Sequence, residues 1–366
     1  MGFSDFHGNP ETVRRLREML ARDRFPHALI LSGPRGAGKY TLAQMVAKAM
    51  NCLEKPLGAD GLPDFCGHCT NCVRIAQGDD LEARFAEAVE AREGLRDTDK
   101  RETRIFVQTH PDVLVIPPDP PQMLIKVDQV RRVIETIYYR PGEGHRRVYI
   151  FTQSAFMKEA ANSLLKVLEE PPEFATLFLL SENPGQLLPT IRSRCITLSL
   201  AGLPAEELER DLAAQHPQWS SRQRALVARL SEGAIGRARN FDVEAYSAAR
   251  ADALVLLRSA LSGADHTPLF KVTESYRAGA EGQEKTQRLI RALYSLLQDL
   301  AFLTNRAPEL VRNTDIAAEL KPLAAKIDFS WLAAASERLG EVESGMRRNL
   351  LRSLSLDAFA TALERD

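Results

Sequence analysis

The stretch from Leu29 to Met50, LILSGPRGAGKYTLAQMVAKAM, restricts the fold more than any other part of the chain. Gly33-Pro34-Arg35-Gly36-Ala37-Gly38-Lys39 has the spacing of a phosphate-binding loop. The apolar run Ala28-Leu29-Ile30-Leu31 precedes it, and Leu42, Ala43, Val46, Ala47 and Met50 follow at helical spacing. Strand, loop and helix are therefore predicted in that order. The glycines let the backbone turn sharply and aim amide N–H groups at an anion held at the mouth of the helix. Lys39 adds a point charge directed at the distal phosphates.

The next residue departs from the pattern. A small hydroxyl that could hold Mg²⁺ is required there, and the sequence offers Tyr40, whose oxygen lies at the far side of a ring. Thr41 carries a suitable group, but one residue later on a helix it points roughly 100° away. Phosphate binding is expected to survive, and Mg²⁺-assisted hydrolysis is not.

With 366 residues, 44% of them apolar, the chain can bury a large core and divides into two or three domains. A formal net charge of -1 gives no global attraction to nucleic acid or membrane. No apolar run is long enough to span a bilayer, and Met1 to Phe6 reads as neither a signal peptide nor a myristoylation site, so a cytoplasmic protein is expected. Four of the five cysteines fall between Cys52 and Cys72, which argues for metal in a reducing compartment and against disulfides.

Asn9-Pro10-Glu11 reads as a helix start with a side-chain cap. The segment from about Asp79 to Arg104 mixes acids and bases and reads as a solvated helix and loop, an insert in the underlying fold. Apolar runs predict further strands at Asp112–Ile116, Arg147–Thr152, Thr176–Ser181 and Cys195–Leu198. Together with the strand before the loop they make five, separated by helical segments, as a parallel sheet covered on both faces requires. Beyond about Gly202 the strand signal ends. A short helical run to about Gly233 suits a small lid, and amphipathic patterns at Ala253–Leu261, Gln287–Leu303, Phe329–Leu339 and Met346–Leu363 predict a bundle.

Three constellations bear on chemistry. Cys66, Cys69 and Cys72 stand at i, i+3 and i+6, and Cys52 at the end of the preceding helix is the natural fourth ligand of a tetrahedral zinc ion. His68 is an alternative donor and is left out of the set. Four protein ligands leave no position for water, so the site is expected to be structural. The strand at Val148 ends in Thr152-Gln153, where a phosphate-loop ATPase places the acids for Mg²⁺ and water, and neither residue is a general base. Arg194, in Ser193-Arg194-Cys195, is either a surface ion-pair residue or a group that serves a neighbouring active site, and spacing alone does not choose.

In combination, Phe25-Pro26-His27-Ala28-Leu29, the cysteine cluster, His110-Pro111-Asp112, Asn162 to Pro172 and Ser193-Arg194-Cys195 resemble the clamp-loader ATPases of DNA polymerase III, over about residues 1 to 240. The resemblance implies an α/β AAA+ phosphate-loop domain at 1–201 with a parallel five-stranded sheet, a zinc module at about 52–72 and the charged insert at 79–104. A helical lid at 202–242 and an all-α collar at 243–366 would follow. It further implies a subunit that works with motor subunits, the delta subunit, the sliding clamp and primer-template DNA. A degenerate nucleotide site would hold ATP or ADP if anything, with Arg237 at the position of a nucleotide-sensing arginine, and Arg194 would complete a neighbour's ATP site. An active motor subunit, or a stand-alone ATPase or nucleotide kinase with structural zinc, are the alternatives.

Overall fold

The computed structural model describes residues 2–22, 24–262, 265–276, 279–347 and 351–364. These divide into two units, one of residues 1–203 with 233–237 and the other of 204–232 with 238–366.

The first unit is built on a six-stranded sheet in the order β2-β3-β4-β5-β1-β6. Its strands are β1 (Ala28–Ser32), β2 (Val107–His110), β3 (Val113–Ile116), β4 (Arg147–Phe151), β5 (Ala175–Ser181) and β6 (Ile196–Ser199). The five runs predicted as strands are the five that pair in parallel. The sheet is nevertheless mixed and six-stranded, a correction to the expected five parallel strands, because β2 turns through Pro111-Asp112 and pairs antiparallel with β3. At the sheet edge β2 needs only a partly buried face, and its Gln108 is exposed, so it lacks the continuous apolar run of a central strand.

Every residue of β1 and β5 is buried, and alternate side chains enter different cores. Leu29, Leu31, Phe178 and Leu180 join Leu16 of helix α1 (Pro10–Ala21) and Leu42 and Val46 of α2 (Lys39–Asn51). Ala28, Ile30, Leu177 and Leu179 lie in the opposite core, with the helices that follow β3 and β4. Each fully buried leucine or isoleucine contributes about 1.5–3 kcal/mol, so the sheet is sandwiched firmly on both sides. Asn9 begins α1, yet its side chain does not cap it. Its Nδ2 donates to the Ala201 carbonyl at 3.1 Å and its Oδ1 accepts from the Ala201 N–H at 2.7 Å, tying the first helix to the end of β6.

After the cysteine segment come α3 (Thr70–Ala76), α4 (Leu81–Glu93) and α5 (Asp97–Glu102). The charged insert is thus two helices, mostly exposed as expected, but with one buried anchor. The Arg92 guanidinium meets the Asp119 carboxylate at 3.0 Å, and the same oxygen accepts the Ile105 N–H at 3.2 Å. Helices α6 (Val127–Ile137), α7 (Lys158–Glu169) and α8 (Pro189–Arg192) complete the unit up to β6.

Asp112 fixes the turn that leads from α6 into β4. Its carboxylate accepts N–H groups from Gly142, Glu143 and Gly144 at 2.7–2.9 Å. Burial alone would raise this carboxyl, but the three amides, with His110 beside it, outweigh burial and hold it below the ordinary carboxylate range. A depressed folded-state pKa gives stability that is complete above the unfolded value and is lost as pH falls through the folded one. Asp112→Asn is therefore expected to cost about 2 kcal/mol near neutral pH. The difference from the parent chain should close in strong acid, as denaturant melts at pH 7 and below pH 3 would show.

The second unit is helical among its described residues. Helices α9 (Ala205–Gln215) and α10 (Ser221–Leu230) cover the run read as a lid, and the short α11 (Ile235–Arg239) that follows begins within the 233–237 segment of the first unit. The remainder comprises α12 (Val243–Ser262), α13 (Thr267–Glu274), α14 (Gly279–Thr304), α15 (Ala317–Ala324), α16 (Phe329–Arg347) and α17 (Arg352–Thr361). The four predicted segments correspond to α12, α14, α16 and α17, although residues 348–350 of the last lie outside the described residues. Leu256, Leu257, Leu293, Leu296, Leu300 and Phe359 lie in one apolar core. Within it Asp299 is fully buried and accepts backbone N–H groups from Arg312 and Asn313 at 2.8 and 2.9 Å. No helix of the described residues is long and apolar enough to cross a membrane.

Candidate functional site

β1 delivers the chain to Gly33, whose N–H donates to the Ser181 carbonyl at the end of β5 at 3.1 Å. The loop from Gly33 to Gly38 then reverses over the C-terminal end of the sheet into α2. Gly33, Gly36 and Gly38 all have positive φ, at 149°, 84° and 87°. At Gly36 a Cβ would stand 2.9 Å from the Arg237 amide nitrogen, so only glycine admits that close approach. The neighbouring Gly236 N–H donates to the Gly36 carbonyl at 2.8 Å. The backbone at Arg237 is thereby held against the loop, as its proposed pairing with a phosphate site requires. Pro34, Arg35 and Ala37 complete the turn, with Arg35 exposed and Ala37 buried.

Lys39 does not project from this loop. Its Nζ donates to the carbonyls of Gly33 and Pro34 at 2.6 and 2.8 Å, and the residue is 9% exposed. Burial lowers its pKa, the Glu182 carboxylate opposes the shift, and Arg35 adds to it. The ammonium lies folded into the loop.

The Tyr40 side chain turns the other way. Its hydroxyl donates to the Gly78 carbonyl at 2.5 Å and receives the Gln44 amide at 2.6 Å, and burial raises its pKa further. The residue that replaces the metal-binding hydroxyl thus joins α2 to the segment after α3. Lys48, two turns further along α2, pairs with Asp79 in the same segment. Neither contact was legible in the sequence, where the i,i+4 pair Tyr40 and Gln44 was the only available hint. Thr41 is exposed. At the end of β4, Thr152 and Gln153 occupy the positions of an acidic pair, and Ser154 shares a 2.8 Å hydrogen bond with Ser181.

Below the loop helix, Cys52 follows the last residue of α2, and Cys69 caps the N-terminus of α3. The sulfurs of Cys52, Cys66, Cys69 and Cys72 all lie within 4.8 Å of one another. A tetrahedron of thiolates at the usual zinc distance has sulfur separations of roughly 3.8 Å, so the set fits such an ion with little adjustment. The backbone supports it. Cys66 N–H points at the Cys52 sulfur at 3.4 Å and Cys69 N–H at the Cys66 sulfur at 3.2 Å, which favours thiolates over thiols. Without an ion burial prevails at Cys66 and Cys72 and raises both thiols, whereas at Cys69 hydrogen bonds from Leu53 and Cys72 outweigh it and leave the thiol at about 7. These four residues could hold a metal ion. His68 lies within reach of Cys66 and Glu54, but its Nε2 meets the Glu54 carboxylate at 2.9 Å on the exposed side, outside the four-sulfur set.

Arg194 is at the other end of the sheet. β6 runs parallel to β1 with Ile196 opposite Leu29, so Arg194 precedes the aligned start of the strands, and Gly33 follows their end. The paired stretch between them, Ile196–Ser199 against Leu29–Ser32, alone spans roughly 10 Å at about 3.3 Å per residue, beyond the reach of an arginine side chain. Arg194 donates to the Thr190 carbonyl at 2.9 Å and to the Glu169 carboxylate at 2.7 Å, and its side chain is 35% exposed. Burial pushes the adjacent Cys195 thiol up to about 12, which suits an inert packing residue.

A phosphate-loop α/β unit with an attached cysteine module and a helical unit is what this fold and site define. The chain belongs to the family described as DNA polymerase III, delta subunit, which matches residues 8–204. It is 28% identical over 92% of its length to DNA polymerase III subunit tau of Escherichia coli, covering 42% of that protein. It is 31% identical to subunit delta' of Bacillus subtilis over 56% of this chain and 51% of the other. With subunit delta' of Pseudomonas aeruginosa it shares 34% over 48% of this chain and 43% of the other. The chain spans less than half the length of the first three curated relatives it matches.

Proposed function

We propose that the chain is a non-hydrolysing, stator-like subunit of the replicative clamp loader, a partner of motor subunits and the delta subunit in placing the sliding clamp on primed DNA. The observation that carries this reading is the separation of Arg194 from the chain's own phosphate loop by the length of a strand. An arginine at that end cannot act on a nucleotide at this loop, whereas it can reach a nucleotide bound by a subunit docked against that face. Tyr40 engaged on Gly78 and Thr152-Gln153 in place of acids support the same conclusion, since none of the three supplies the carboxylate that binds Mg²⁺ or acts as general base in such ATPases.

In this reading the loop from Gly33 to Thr41, with Arg237, is a retained cradle for ATP or ADP without Mg²⁺, and zinc at the four cysteines is structural. Residues 202–242 act as the lid and 243–366 as the collar through which the subunits assemble, in the cytoplasm. The test is steady-state ATP hydrolysis by the purified chain alone and by the reconstituted loader. No turnover is expected from the isolated chain, and a measurable rate there would overturn the proposal.

A further inference from the structure

A cavity of about 260 Å³ opens at the end of the sheet where β3 and β4 begin, away from the phosphate loop. Leu114 and the ring of Tyr139 form part of its wall, and Arg132 and Arg147 line it. Two of its three hydroxyls, those of Thr136 and Tyr149, lie 3.1 Å apart, and that of Thr136 also donates to the Arg132 carbonyl at 2.8 Å. They have little left to offer a ligand.

The guanidiniums do. The Nε of Arg147 is buried and has no hydrogen-bond partner among the described residues. Its Nη2 donates to the Arg140 carbonyl at 3.4 Å and stands 3.9 Å from Asp112, which also lines the cavity and whose carboxylate is already occupied by three amides. Arg132 has Glu135 at 3.9 Å, too far for a hydrogen bond, and its side chain is 59% exposed. Between Arg131 and Arg147 there are five arginines and only two carboxylates, Glu135 and Glu143, in a chain whose net charge is -1. Tyr138 and Tyr139 stand beside them, 49% and 64% exposed.

We propose that this cavity takes the carboxylate of an acidic, aromatic-bearing peptide segment of a partner protein, gripped between Arg132 and Arg147 with its aromatic neighbour on Tyr139. A planar monoanion suits two guanidinium forks that line one cavity. The cavity, at about 260 Å³, has room for an acidic side chain together with part of its neighbour, and exposed tyrosine beside arginine is the composition of an interface anchor. A nucleic-acid backbone fits less well. It needs cations spread along a groove, whereas of these five arginines only Arg132 and Arg147 line the cavity, with Arg131 engaged by Asp128 and Arg146 by the Glu173 carbonyl.

The experiment is fluorescence anisotropy of the full chain with a labelled hexapeptide of alternating aspartate and phenylalanine. Its asparagine counterpart and a labelled dodecathymidylate are run beside it. The acidic peptide is expected to bind, the asparagine peptide to bind about tenfold more weakly, and Arg132→Ala and Tyr139→Ala each to weaken the acidic peptide about fivefold. Both substituted side chains are exposed, so the fold should persist, with unchanged circular dichroism as the check. Equal binding of the two peptides, no binding of the acidic one, indifference to both substitutions, or tighter binding of dodecathymidylate would each overturn the assignment.

Discussion

Replacing Arg194 with alanine is expected to lower ATP hydrolysis at the one neighbouring site it serves in the reconstituted loader by roughly three orders of magnitude while leaving the chain folded. The two halves of that expectation rest on different contacts. In this structure the guanidinium is paired with Glu169, a partly exposed ion pair of the kind that contributes about 0–1 kcal/mol. Losing it should move the melting temperature by only a few degrees. In the complex the same group would face the transferring phosphoryl of a neighbouring subunit, where a fixed positive charge acts on the transition state in a site that excludes water. Weak pairing in the free chain is an advantage for such a role, because little has to be broken when Arg194 turns outward. Arg194→Lys keeps the charge but loses the planar fork, so it should recover only a small part of the rate. Hydrolysis by the complex that is indifferent to Arg194→Ala would sink the trans role.

The loop, the cysteines and the five parallel strands were legible because each depends on residues close in sequence. Gly33 to Lys39 carries its geometry in its glycines, and three cysteines at i, i+3 and i+6 can hardly avoid one another. β1 and β5 are buried on both faces and so are written as unbroken apolar runs. What remained hidden depends on distant partners. Tyr40 announces a missing Mg²⁺ ligand, but its second role rests on Gly78, 38 residues away. Arg92 looks like any arginine of a solvated helix until Asp119, 27 residues later, is found beneath it. Asn9 has the composition of a helix cap and is used instead to hold Ala201, 192 residues on. Helices α13 and α15 escaped because each is only eight residues long, and α15 contains Pro322, so neither sustains a helical period.

If the four cysteines hold zinc as proposed, removing it should act on stability and leave chemistry alone. Cys69→Ser is expected to reduce bound zinc in the purified chain by at least about tenfold and to cost about 2–4 kcal/mol. The lower figure than the 10–16 kcal/mol typical of isolated zinc fingers follows from the neighbouring contacts. Asn71 donates to the carbonyls of Asn51 and Glu143 at 3.0 and 3.2 Å, and the Asn51 Oδ1 accepts the N–H groups of His145 and Arg146 at 2.8 and 2.9 Å. These bonds hold the segment to the sheet without any metal. Cys52 and Cys72 are fully buried, however, and two thiols there cannot replace the four bonds that order the stretch between α2 and α3. A chelator should therefore reproduce the mutant's lowered melting temperature in the parent chain and add nothing to the mutant. Because α2 runs from the phosphate loop to Cys52, nucleotide affinity offers a second readout. The sheet-side contacts of α2, from Leu42 to Val46, are independent of the module, so affinity is expected to change less than threefold. Undiminished zinc in Cys69→Ser would remove Cys69 from the ligand set, and the exposed His68 beside Cys66 would then be the donor to test next.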